Sequence, residues 1–83
     1  MAEQTQSHDA IRSWVNERGG RPARVEGTDI LRIDFDDAEQ DDRLETIDWA
    51  DFFETFDNTG LTFLYEDEGQ SRFNKFISAN GGA

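Results

Sequence analysis

Cysteine is absent from the 83-residue chain, so no disulfide can staple the fold and no thiolate can ligate a metal. That absence fits a reducing compartment, and the chain reads as cytoplasmic. Met1-Ala2-Glu3-Gln4-Thr5-Gln6 has neither the basic nor the apolar region of a signal peptide. No apolar run approaches the ~20 residues needed to span a bilayer. Glycine-rich phosphate loops are missing too. Gly19-Gly20 ends a helical pattern instead of opening one, which gives the helix dipole the wrong sign for a phosphate. There is one histidine, His8, and it lies in the polar N-terminal stretch. His8 reads as an exposed residue at a helix start, and its adjacency to Ser7 does not make a nucleophile and base. A working carboxylate pair would need one member in an apolar pocket with a raised pKa, and the acids here fall on polar faces or in loops. The chain reads as no enzyme, with no cofactor.

Acid is what the chain has in excess. Nineteen Asp and Glu against eight Lys and Arg give a formal net charge of −11. The excess is concentrated: residues 1–33 hold five acids and five bases, residues 34–68 hold fourteen acids and Arg43 alone, and residues 69–83 hold Arg72 and Lys75. Duplex DNA and anionic membranes both demand clustered positive charge, so neither is expected as a partner. Asp outnumbers Glu eleven to eight, and seven of the eight bases are Arg. An Asp-rich, Lys-poor surface suits high salt, where self-repulsion is screened. A GC-rich genome gives the same Arg preference.

A chain of this length makes one domain with a single thin core. Ten aromatic residues at regular spacing argue for a folded core despite only 35% hydrophobic content. Ile11, Trp14 and Val15 fall at i, i+3, i+4 after the N-cap candidate Ser7, so a helix is expected from residue 7 or 8 to Arg18, stopped by Gly19-Gly20 and Pro22. Ala23 and Val25, then Leu31, Ile33 and Phe35, alternate with polar residues around Gly27-Thr28-Asp29, the pattern of a hairpin. Leu44 and Thr46-Ile47 re-enter as a short extended segment. Asp48 with Asp51 three residues on is a capping-box pattern, Ile47 and Phe52 make a hydrophobic staple, and Trp49, Phe52, Phe53 and Phe56 share one helical face. Leu61, Phe63 and Tyr65 alternate in a strand that turns at Glu66–Gln70 into a last strand over Ser71–Ser78. The inward face of that strand stays open: Phe73 and Ile77 share a face with Lys75, and Phe76 shares the other with Arg72. The order is an approximate αββ-αββ repeat. The expected fold is α+β, with two helices on one face of a four-stranded antiparallel sheet over residues 7–78, and disordered tails at 1–6 and 79–83.

Ile11-x-x-Trp14, Arg18-Gly19-Gly20-x-Pro22-Ala23, Leu31-Arg32-Ile33-Asp34-Phe35, Trp49-x-x-Phe52-Phe53 and Ser71-Arg72-Phe73-x-Lys75-Phe76 together resemble a group of small uncharacterised bacterial proteins, over roughly residues 8–78. Some such proteins are labelled as glucan-branching enzymes. A catalytic barrel for glycan transfer takes about 250 residues, so that label does not fit this chain. The resemblance implies no activity and supplies no site residues.

Two surfaces remain as candidates. If Val25, Leu31, Ile33 and Phe63 face the helices, the open face of the sheet displays Arg24, Ile30, Arg32 and Leu64, joined by Arg72 and Phe76 if Phe73 points inward. Arginine among apolar side chains is characteristic of protein interfaces and of single-strand stacking platforms, though the net charge opposes the second. The bland alternative is a mixed face whose arginines are neutralised by Glu26 and Asp34. The other candidate is the acidic segment with Asp36, Asp37, Asp41 and Asp42. Read as a calcium loop starting at Asp34, it has Ala38 at position five and Glu39 where glycine is needed at six, so it is not an EF-hand. Weak divalent-ion binding at millimolar concentration is all it implies. The expected function is a non-catalytic accessory or interaction module with a protein partner. The alternative is an acidic mimic of nucleic-acid phosphates that occupies a DNA-binding protein. The salt-adapted reading makes its own prediction: the melting temperature rises markedly from low salt to molar potassium chloride, and a flat profile across that range contradicts it.

Overall fold

The computed structural model describes residues 2–35, 43–69 and 71–78. In chain order these form β1 (Ala2–Thr5), α1 (His8–Glu17), β2 (Gly20–Val25), β3 (Leu31–Phe35), β4 (Leu44–Thr46), α2 (Trp49–Asn58), β5 (Leu61–Glu66) and β6 (Asn74–Ser78). The α+β class stands. The single four-stranded sheet does not: the strands form two three-stranded sheets, ordered β1-β5-β6 and β3-β2-β4. Each expected hairpin, β2–β3 and β5–β6, gains a third strand from a distant part of the chain. Residues 2–5, expected within a disordered tail, are one of these additions. The other is the short extended segment at Leu44–Thr46. The expected tail at 79–83 lies outside the described residues.

Both helices start where their caps dictate. The Ser7 hydroxyl accepts from the Ala10 N–H at 3.3 Å, and the Asp48 carboxylate accepts from the Asp51 N–H at 3.0 Å. Each helix ends before a left-handed glycine, Gly19 (φ 70°) and Gly60 (φ 65°). These coincidences run the length of the chain. His8–Glu17 is matched by Trp49–Asn58 and Gly20–Val25 by Leu61–Glu66, each 41 positions on (8 to 49, 20 to 61). The repeating unit is therefore βαββ rather than αββ, and its halves are interlocked. The first strand of the first half, β1, pairs with β5 of the second, and the first strand of the second half, β4, pairs with β2 of the first.

The core lies between the helices and the sheet faces that carry Leu31, Ile33 and Phe35 on β3 and Phe63 on β5. Ile11, Trp14 and Val15 enter it from α1, and Phe52, Phe53 and Phe56 from α2. Trp14 spans the two sheets, with its ring edge-on to Phe35 (6.3 Å) on one side and to Phe63 (5.4 Å) and Tyr65 (5.8 Å) on the other. Pro22 occupies the central strand β2, an unusual place for a residue with no N–H. Its carbonyl accepts from the Ile47 N–H at 3.1 Å, and with nothing to donate in return the ladder stops there, so β4 ends at Thr46.

Gly20 sets how closely α1 approaches β2 and β3. A Cβ there would lie 2.9 Å from Ile33 Cγ2, 3.0 Å from Val15 Cγ1 and 3.1 Å from Phe35 Cε1. All three neighbours belong to the packed core, so none can give without disturbing others. Gly20→Ala is accordingly expected to lower unfolding stability by about 1–3 kcal/mol, measured by urea denaturation. An unchanged midpoint contradicts this packing.

Candidate functional site

The strand registers separate the three arginines expected on one open face. Directly opposed residues of antiparallel strands project to the same side. Arg24 is opposite Leu31, and Arg32 is opposite Ala23. Arg24 therefore belongs to the helix-facing side with Leu31, and Arg32 to the other. At the sheet edge Arg24 is opposite Glu45, whose Oε1 accepts from both Nε (3.2 Å) and Nη2 (3.0 Å) of the guanidinium. Arg32 is exposed and folds back to donate to the Leu31 carbonyl at 2.9 Å. Arg72 lies with its guanidinium 4.9 Å over the Phe35 ring, joining the start of β6 to the end of β3. The outer face of the β3-β2-β4 sheet is also not open throughout, since Ala23 on that face is fully buried. Asp36, Asp37, Asp41 and Asp42 lie outside the described residues. Among the described residues no group of three or more His, Asp or Glu is placed to hold a metal ion.

The outer face of the β1-β5-β6 sheet is different. Phe76 points inward, against Phe52 (5.8 Å), Phe56 (6.4 Å) and Phe63 (5.2 Å). The alternation then sends Lys75 and Ile77 outward, and Phe73 stands 47% exposed with the Lys75 ammonium 5.9 Å from its ring. By register, Leu64 is opposite Lys75, Thr62 opposite Ile77 and Gln4 opposite Leu64. None of the described side chains on this face is buried, and both helices pack on the opposite side through Phe52, Phe56 and Trp14. Of the residues expected on an open sheet face, Leu64 is there. Phe73, Lys75 and Ile77 were legible as a set on one side of β6, but not as the outward set. Glu66 ends the face.

Charge is distributed unevenly across the layers. The helix side exposes Asp9, Glu17, Asp48, Asp51, Glu54 and Asp57. Among the described strand residues, the outer face of the β1-β5-β6 sheet has one acid, Glu66, and one base, Lys75.

The helix start is more than an exposed end. His8 stacks on Phe53 (centroids 4.0 Å apart, planes within 9°), and its Nε2 lies 3.0 Å from Asp57 Oδ1, so it links α1 to α2. Ser7 is occupied as the helix cap. Nothing in this arrangement sets a nucleophile against a base.

Several of the sequence motifs singled out above meet at one joint of the domain. Arg18 is 8% exposed, and its guanidinium donates to the carbonyls of Ser71 (2.6 Å), Trp14 (3.1 Å) and Gly69 (3.0 Å) while lying 4.4 Å over the Trp14 ring. Arg72, next to Ser71 in the chain, lies over the Phe35 ring. The Arg18-Gly19-Gly20, Leu31–Phe35 and Ser71-Arg72-Phe73 motifs thus serve one joint between α1 and the two sheets. Among the described residues no helix is long and apolar enough to cross a membrane. Comparison with family models, with curated proteins and with solved structures finds no match, so the resemblance to small bacterial proteins rests on those motifs alone.

Proposed function

We propose that the chain is a non-catalytic accessory protein, an interaction module that docks through the outer face of its β1-β5-β6 sheet. The observation that supports this reading is the exposed Phe73 beside half-buried Leu64 and Ile77 on a face that neither helix covers. A chain with an apolar core this small gains from burying such side chains internally. Leaving three of them together on one face is characteristic of a surface kept for contact. Lys75 among them supplies the polar element that interfaces pair with apolar anchors. The face lies away from the acidic helix side, so the contact is driven by apolar burial and has little dependence on salt.

Affinity capture from the host lysate at low and near-physiological salt tests this reading. The wild-type chain is compared with a Leu64→Asp/Ile77→Asp variant and an Asp36/Asp37/Asp41/Asp42→Asn variant. A partner retained at both salts by the wild type and the Asn variant, and lost with the double aspartate, is the expected result. A partner washed away by moderate salt and lost with the Asn variant contradicts the sheet face and moves the reading to an acidic phosphate mimic.

A further inference from the structure

We infer that a cleft at the end of α2 binds the guanidinium group of an arginine presented by a partner polypeptide. The cleft measures about 230 Å³ and is lined by Asp29, Ile30 and Arg32 around the start of β3, by Thr59 and Leu61 at the end of α2, and by Phe76. Phe76 points inward from β6, so this site is separate from the outer face of the β1-β5-β6 sheet.

The internal repeat shows what such a place takes. Arg18 is the C-cap of α1, and Thr59 is the C-cap of α2, 41 positions on (18 to 59). Each is followed by a left-handed glycine. Each side chain bonds the carbonyl four residues back: Arg18 Nη1 donates to Trp14 (3.1 Å) and Thr59 Oγ1 to Thr55 (2.7 Å). The arginine is long enough to reach further. Its Nε and Nη2 donate to the carbonyls of Ser71 (2.6 Å) and Gly69 (3.0 Å), in the turn from β5 to β6. The turn from β2 to β3 holds the same place in the other half. Arg24 is opposite Leu31 as Tyr65, 41 positions on (24 to 65), is opposite Asn74. Thr59 ends short of that turn, and the cleft opens between them, with Asp29 and Ile30 on the turn side. It is the counterpart of the space that the Arg18 side chain fills.

The charge of the cleft fits a cation. A helix C-terminus is the negative end of the macrodipole and favours positive charge at its last turn. Arg18 supplies that charge at the end of α1, whereas α2 has no basic residue in its last turn. Asp29 is exposed and has no ion-pair partner among the described residues. The net charge of −11 concentrates cations around the whole chain. Arg32 is the one base in the lining, and it is exposed and turned back onto the Leu31 carbonyl. Ile30, 48% exposed, forms an apolar wall with Leu61 and Phe76 for the methylene stem of an arginine. A planar guanidinium can donate to a carboxylate and to turn carbonyls at once, as Arg18 does with three carbonyls, which suits it better than a lysine ammonium. The volume falls below the ~300 Å³ at which pockets for drug-sized ligands begin, so the cleft takes a single side chain.

Two-dimensional NMR titration of the full chain with N-acetyl-arginine amide tests the site, with N-acetyl-norleucine amide as the uncharged control. Saturable shifts are expected at the amides of residues 29–32 and 59–61, with a dissociation constant on the order of 1 mM. The norleucine compound is expected to bind at least tenfold more weakly. Asp29→Asn weakens binding of the arginine compound at least threefold, and Arg32→Gln leaves it unchanged or tightens it. Thr59→Arg supplies the guanidinium from the chain itself, so it is expected to abolish the shifts and to raise the melting temperature by about 4 °C. Absence of saturable shifts, shifts confined to other residues, or an equal response to norleucine overturns the site. So does a folded Thr59→Arg chain that binds as the wild type does. Weakening by Arg32→Gln but not by Asp29→Asn overturns it too, and assigns the cleft to an anion. The Asp29 and Arg32 variants decide the matter alone if Thr59→Arg does not fold.

Discussion

Two sheets that share no hydrogen-bond ladder must be held together by side chains, and Trp14 with Arg18 carries that load from α1. Trp14 touches Phe35 of one sheet and Phe63 and Tyr65 of the other, and its indole N–H donates to the Glu66 carbonyl at 2.8 Å. Arg18 covers the ring and fixes the turn between β5 and β6 through two of its carbonyls. A guanidinium satisfied by carbonyls at this depth is costly to leave unpaired, so the turn, the helix end and the tryptophan hold one another. The glycine beside it, Gly20, lets the same helix close on β2 and β3. One helix end therefore fixes the positions of both sheets.

The interlocking of the halves completes this arrangement. Each βαββ unit gives its first strand to the other unit's hairpin, so neither three-stranded sheet can form from one half alone. In a chain this short the core is thin, and strand exchange converts two marginal hairpins into one cooperative body. Both helices pack on the inner side, which leaves the outer face of the β1-β5-β6 sheet available for contact. The proposed function derives from that placement.

The sequence made the helices plain, because Ser7 and Asp48 announce their starts and the aromatic stripes announce their buried faces. Hairpins were legible for the same local reason. The third strands were not. Ala2-Glu3-Gln4-Thr5 has no apolar alternation, and β4 is three residues long, so both are held by backbone pairing that no side-chain pattern reports. The error over Arg24 has a similar origin. Pro22, Ala23 and Val25 put apolar residues on both faces of β2, so alternation could not fix its phase, and the register across to Leu31 and Arg32 decided it. On β6, Phe73, Phe76 and Ile77 left two phases open until the contacts of Phe76 with Phe52 and Phe56 chose one.

The central claim is that the two sheets are one folding unit. Native-state hydrogen exchange tests it most directly, with amide protection followed residue by residue in rising denaturant. The interlocked arrangement predicts that the β2–β3 and β5–β6 amides converge on a single opening free energy equal to that of global unfolding. Amides of one sheet that stay protected after those of the other have exchanged would contradict it, and would mean that the sheets fold as separate halves.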